Sequence, residues 1–184
     1  MEFVQKNVEW RKFLQEIGSA KILVVGDVML DHYLWGEAHR LSPEAPVPVL
    51  RVTEDTYRLG GAANVALNIR HLGGTVKLWG WVGKDEGGRR VKDLLAANGV
   101  ALCRTPNYCG PTIVKTRVVA QNQQLCRLDR DTDFPLLPNA DLIPCLREAL
   151  EDIEAVILSD YAKGTLSQAL VNQIACEVEA RGLL

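Results

Sequence analysis

The apolar positions fall into two kinds of run. Lys21–Val28, "KILVVGDV", is apolar and β-branched and is closed by Gly26 and Asp27. Thr75–Val82, "TVKLWGWV", and Ala155–Leu158, "AVIL", have the same character, the latter ended by Ser159 and Asp160. Each predicts a strand buried on both faces. The other runs repeat at helical spacing. Ala62, Ala66, Ile69 and Leu72 form one stripe with Gly73 as its stop. Val91, Leu94 and Leu95 mark a helix over Gly87–Asn98, and Leu142, Leu146, Ala149 and Leu150 one over Asp141–Ile153. Leu170, Ile174 and Val178 mark one over Leu166–Ala180, with Ser167 as a cap. Strands alternating with helices predict an α/β fold: a parallel sheet flanked by helices. Phe3, Trp10, Phe13, Leu14 and Ile17 add an amphipathic helix at the N-terminus.

Two segments break this rhythm. Ala45–Val52, "APVPVLRV", is extended but interrupted by prolines, which excludes the centre of a sheet. Thr112–Arg130 reads as two strands around a polar turn at Gln121–Gln124. Val114, Thr116, Val118 and Ala120 share one face there, and Lys115 and Arg117 the other. Together the two segments predict a small sheet projecting from the parallel one. After the last helix, Leu183-Leu184 resembles the first step of another buried strand. A sheet that stops there predicts a truncated domain.

Composition narrows the partners. The 184 residues suffice for one domain with a sizeable core. A formal charge of −2 gives no broad basic field for nucleic acid. The N-terminal segment mixes charges throughout, unlike a signal peptide, and no apolar run approaches the ~20 residues of a membrane span. The five cysteines contain no C-x-x-C, which fits a reducing cytoplasm and small buried apolar roles.

Candidate chemistry gathers at the strand ends, because open parallel sheets bind ligands beyond their carboxyl edge. Asp27 and Asp160 sit at two such ends, with Asp31 four residues after Asp27. Their carboxylates suit sugar hydroxyls or a cationic partner, or else cap turns. The stretch "RLGGAANVALNIRHLGG" places Gly60 and Gly61 at the mouth of a helix and Asn64 in its first turn. Glycines there allow close backbone approach beside the positive end of the helix dipole, or simply a tight turn. Lys115, Arg117 and Lys163 are the basic residues best placed for a phosphate. His32 and His39 lie near this region without an evident partner, and no metal-ligand spacing occurs. Neither a G-x-x-x-x-G-K-S/T phosphate loop nor G-x-G-x-x-G is present.

In order along the chain, "VVGDVMLDHY", "SPEAPVPVL", "GGAANVALNI", "KTRVVAQNQQLCRLD" and "LSDYAKG" resemble the N-terminal half of the ribokinase-like sugar kinases. Within them, the run is most similar to the D-glycero-β-D-manno-heptose 7-phosphate kinases of lipopolysaccharide core synthesis, from about Ile22 to the C-terminus. The resemblance implies that the glycine pair closes against a bound sugar, that Asn64 contacts it and that Asp27 binds its hydroxyls. It also implies that the projecting strands, about 45–52 and 112–130, form an antiparallel lid that in many relatives pairs subunits. A homodimer or larger assembly follows. The family's Gly-Ala-Gly-Asp run, which supplies the catalytic base and an anion hole, has no match here. The resemblance therefore implies an ATP- and Mg2+-dependent kinase of which this chain holds the sugar side, with no nucleotide bound firmly and no turnover alone. The alternatives are a non-catalytic sugar-phosphate binder or subunit partner, or a degenerate product.

Overall fold

The computed structural model describes residues 16–106, 108–131 and 139–184. Two four-stranded sheets carry the fold. The first holds β1 (Lys21–Gly26), β4 (Thr75–Trp79), β5 (Ala101–Leu102) and β8 (Ala155–Ser159) in the order β5-β4-β1-β8, all parallel. The second holds β2 (Val28–Leu41), β3 (Pro48–Gly61), β6 (Ile113–Ala120) and β7 (Gln123–Arg130) in the order β3-β2-β6-β7. Beyond the helical residues 16–19, the described helices are α1 (Ala62–His71), α2 (Glu86–Ala97), α3 (Asn139–Ala149) and α4 (Gln168–Arg181).

Helices cover both faces of the parallel sheet, as the two-sided apolar strands require. Alternate residues of β1 point opposite ways. Val24 joins a core with Leu78, Ala66 and Ile69 of α1, and Val91 and Leu95 of α2. Leu23 and Val25 join the other core with Trp79, Leu146 of α3, and Leu170 and Ile174 of α4. Each such side chain is nearly or fully buried, worth roughly 1.5–3 kcal/mol. Ser167 caps α4 as expected, its Oγ accepting from the Leu170 N–H at 3.2 Å.

The predicted projecting sheet exists, but it is larger and differently paired. It contains two 14-residue strands, and β2 runs parallel to β6, so the sheet is mixed rather than antiparallel. The strand read as Lys21–Val28 ends at Gly26, and Val28 already belongs to the second sheet. β6 and β7 meet at Gln121 and Asn122, both with positive φ (50° and 63°), the conformation of a two-residue type I′ hairpin turn. Most of the expected N-terminal helix, Phe3 to Leu14, lies outside the described residues; 16–19 are helical.

Leu184 lies against the outer edge of β8. Its N–H donates to the Glu154 carbonyl (3.2 Å) and its carbonyl accepts from the Val156 N–H (2.8 Å). Farther along that strand Ile157 and Leu158 are 36% and 41% exposed. Cysteine burial departs from expectation: Cys109, Cys126 and Cys176 are exposed. Cys103 and Cys145 are of intermediate burial, and burial pushes the Cys103 thiol up to about 11.

Candidate functional site

The two sheets join at Asp27, between β1 and β2. Its N–H donates to the Ser159 carbonyl at the end of β8 (3.1 Å), and its carbonyl accepts from Ala62 at the mouth of α1 (2.9 Å). The carboxylate is completely buried. Oδ2 accepts from the Tyr161 and Lys163 N–H groups (2.8 and 3.1 Å), and Oδ1 from the Thr165 N–H (3.1 Å). This clasps the loop after β8 to the end of β1. The expectation that Asp27 meets sugar hydroxyls needs correction on this geometry. Its oxygens are sealed from solvent and already hold three backbone donors.

The glycine pair has an internal reason as well. Gly61 has φ +55°, and a Cβ there would stand 2.2 Å from the Asp27 carbonyl oxygen. A Cβ on Gly60 would stand 2.7 Å from Asp31 Oδ2. The pair makes room for the chain's own Asp27 backbone and Asp31 carboxylate beside the helix mouth. No side chain caps α1 there, and Asn64 is exposed on its first turn.

Asp31, unlike Asp27, reaches the surface. Strand register places Arg58, Asp31, Lys115 and Asp129 in one row across β3, β2, β6 and β7. Asp31 forms an ion pair with Arg117, one row farther out, and each side chain is 22% exposed. The Arg117 and Arg58 guanidiniums lie 5.3 and 5.4 Å from the Tyr33 ring centroid. Tyr33, Arg58 and Asp129 are neighbours that sequence reasoning missed; the two-residue period of β2, β3 and β7 carries them onto this face.

Lys163 enters from the clasped loop and pairs with Asp131, whose hydrogen bond holds the ammonium above its ordinary value. Arg127 chiefly, with Lys115 and Lys163 adding to it, holds the Asp129 carboxyl below its ordinary value. Asp160 is exposed and accepts from Ala162 N–H at 2.8 Å, the turn-capping role weighed for it. The two histidines lie elsewhere. His32 faces the opposite side of the sheet, between Thr116 and Asp55 (3.1 and 2.7 Å), and His39 stands 3.4 Å from Glu37.

This is an ordered polar surface of alternating charge, at the carboxyl end of a parallel sheet and walled by a projecting one. Residues 19–179 match the pfkB family carbohydrate kinases. The chain belongs to that family. The bifunctional protein HldE of Histophilus somni is 47% identical over 156 residues, which cover 85% of this chain and 33% of the relative. The chain thus spans about one third of the curated relatives it matches. A carbohydrate kinase from Agrobacterium tumefaciens superposes with a TM-score of 0.67 at 20% identity, over 89% of this chain and 52% of that one. A ribokinase from Cryptococcus neoformans in complex with ADP does so at 0.57 and 22%, over 90% and 48%. Such identities speak for the fold: the ribokinase-like α/β arrangement with its second sheet.

Proposed function

We propose that this chain forms the sugar-binding side of a D-glycero-β-D-manno-heptose 7-phosphate kinase, which phosphorylates the 1-position with ATP. The 47% identity to HldE across most of the chain carries the reading. Asp31 accepts hydrogen bonds from sugar hydroxyls, beside Gly60, Gly61 and Asn64 at the helix mouth. Lys115, Arg117 and Lys163 supply cationic donors to the 7-phosphate. Asp27 acts indirectly, by holding the loop that carries Lys163, and Asp160 by shaping its turn. The projecting sheet closes over the sugar and pairs subunits.

ATP and Mg2+ belong to the whole kinase. The Gly-Ala-Gly-Asp run that supplies the family's catalytic base and anion hole has no counterpart in this sequence. Phosphoryl transfer rests on positioning and charge stabilisation around the transferred group, so no step of it is assigned to these side chains. Purified chain with heptose 7-phosphate and Mg-ATP should release no ADP, while calorimetry should detect sugar-phosphate binding that weakens in Asp31→Asn. Equal affinity in folded wild type and Asp31→Asn would refute the assignment of Asp31. ADP release abolished by Asp31→Asn would refute the division of labour.

A further inference from the structure

We propose that the cavity beneath the second sheet, on the face opposite the candidate sugar site, binds a small organic anion with a flat unsaturated body. The strand register separates the two faces. Leu30, His32, Val114, Thr116, Leu128 and Arg130 point one way, and Asp31, Lys115, Arg117 and Asp129 belong to the other row set. The first group, with Tyr57 of β3 and Glu86, Gly87 and Arg90 at the start of α2, surrounds about 540 Å³ of space. That volume suits a small ligand. An occupant would touch both the projecting sheet and the body of the fold.

Two features select the ligand class. The first is a stack of planar groups in the wall. The His32 and Tyr57 rings are parallel within 5° at 4.4 Å, and the Arg90 guanidinium carbon lies 3.9 Å from the Tyr57 centroid. Two groups this close to one ring occupy its two faces, so an incoming flat group extends the stack at His32 or Arg90. The stack is fixed in place, since His32 is held at both nitrogens by Thr116 and Asp55. Apolar surface from Leu30, Val114 and Leu128 continues it.

The second feature is charge. The acids beside the cavity are already engaged. Glu86 gives its two oxygens to Arg89 (2.6 and 2.9 Å), Asp55 stands 2.7 Å from His32 Nε2, and Asp129, which touches the lining although its row belongs to the opposite face, gives its two to Arg127 (2.7 and 2.9 Å). Arg90 Nε stands 3.0 Å from Glu86 Oε1, an oxygen already taken by Arg89, and this buried atom has no other acceptor among the described residues. Arg130, exposed at the end of β7, adds a second cation at the rim. Donors therefore exceed acceptors, and an anionic group on the ligand corrects the imbalance.

The test uses 1-naphthoate as probe, with 1-naphthamide and cyclohexanecarboxylate as controls, followed by NMR of the Thr116 and Leu128 methyls and the Tyr57 ring. Saturable shifts at these three residues are expected with naphthoate, and much weaker ones with either control. Arg130→Gln, on an exposed strand end, should keep the fold and reduce naphthoate affinity several-fold or more; Arg90→Gln should reduce it about tenfold or more. The absence of shifts at these residues, equal binding of the amide or the saturated acid, or unchanged affinity in folded Arg130→Gln and Arg90→Gln would each overturn the proposal.

Discussion

Asp27→Ala tests whether the junction of the two sheets depends on one buried carboxylate. The substitution removes the acceptor of three N–H groups, those of Tyr161, Lys163 and Thr165. A hydrogen bond to a charged group is worth about 1.5–3 kcal/mol net, and a buried donor left without a partner costs about 1–3 kcal/mol. The three donors are not equal. Tyr161 is exposed and Lys163 half-exposed, so water can replace the carboxylate there. Thr165 is only 3% exposed, and its N–H would be stranded. The expected loss is about 3–6 kcal/mol, a large share of the 5–15 kcal/mol typical of a folded domain. Asp27→Asn keeps one acceptor oxygen and turns an NH2 towards at least one of the donors, so it should cost about 1–3 kcal/mol. Thr165→Val is the control. The Thr165 hydroxyl is buried without a hydrogen-bond partner among the described residues, so removing it should change stability little.

Urea unfolding gives the order, with Asp27→Ala least stable, then Asp27→Asn, then Thr165→Val near wild type. Native-state hydrogen exchange at residues 160–165 gives the location, because the clasp should open there first. If Asp27→Ala unfolds at the wild-type midpoint, or Thr165 keeps its protection, the carboxylate does not hold the loop. The role of Asp27 would then return to direct ligand contact.

Gly61→Ala should destabilise by about 2–4 kcal/mol, since a side chain at positive φ is strained and its Cβ meets the Asp27 carbonyl; a thermal melt unchanged from wild type would refute this. For Asp85, burial would raise the carboxyl, but hydrogen bonds from the Thr112 hydroxyl, the Gly88 N–H and the Thr112 N–H outweigh it and hold it below its ordinary 3.8. Between the folded value and 3.8 the unfolded chain binds the proton that the folded chain refuses. The stabilisation is therefore complete above 3.8 and is lost as pH falls through the folded value. Asp85→Asn should lower stability at neutral pH and flatten the acid arm of the stability curve, and urea midpoints measured against pH that keep the wild-type slope would refute it. Lys163→Ala should weaken sugar-phosphate binding in calorimetry several-fold more than Lys77→Ala, whose ammonium bonds the Glu151 carbonyl (2.7 Å); equal affinities would remove Lys163 from the site. Light scattering should find a dimer or larger assembly, and a monomer at high concentration would count against pairing through the second sheet or the β8 edge.

The parallel sheet was legible because β1, β4 and β8 read as short runs rich in apolar and β-branched residues, although Ile157 and Leu158 of β8 are partly exposed. The helices were legible from their stripes. β2 and β3 were not. β2 starts in the core and ends in solvent, with Val28–Leu30 buried and His39–Leu41 exposed, and β3 runs the reverse way, from exposed Pro48 to buried Leu59 and Gly60. One strand thus passes through two environments and shows no single alternation. The pairing of β2 with β6 was hidden for a further reason. It is a parallel contact between segments about 84 residues apart, which no local turn announces. The site was legible as a neighbourhood but not as an assignment of roles. A strand-end aspartate looks the same in sequence whether it faces a ligand or, like Asp27, holds backbone donors more than 130 residues away.

On the proposed reading, the same economy governs affinity. Two of the three cations offered to a phosphate already face an acid: Arg117 has Asp31 and Lys163 has Asp131. At these two a sugar phosphate exchanges one set of partners for another. Its binding energy is the difference between the two sets. Arg117 and Asp31 are both partly exposed, so separating them costs less than breaking a fully buried pair. A hydroxyl on Asp31 and a phosphate oxygen on Arg117 can then replace the internal pair without stranding either charge. Until the ligand arrives, the pair holds both side chains over the glycine-lined helix mouth, where they are needed. Removing one partner alone should therefore harm binding more than the loss of a single contact, because the remaining charge loses its orientation as well.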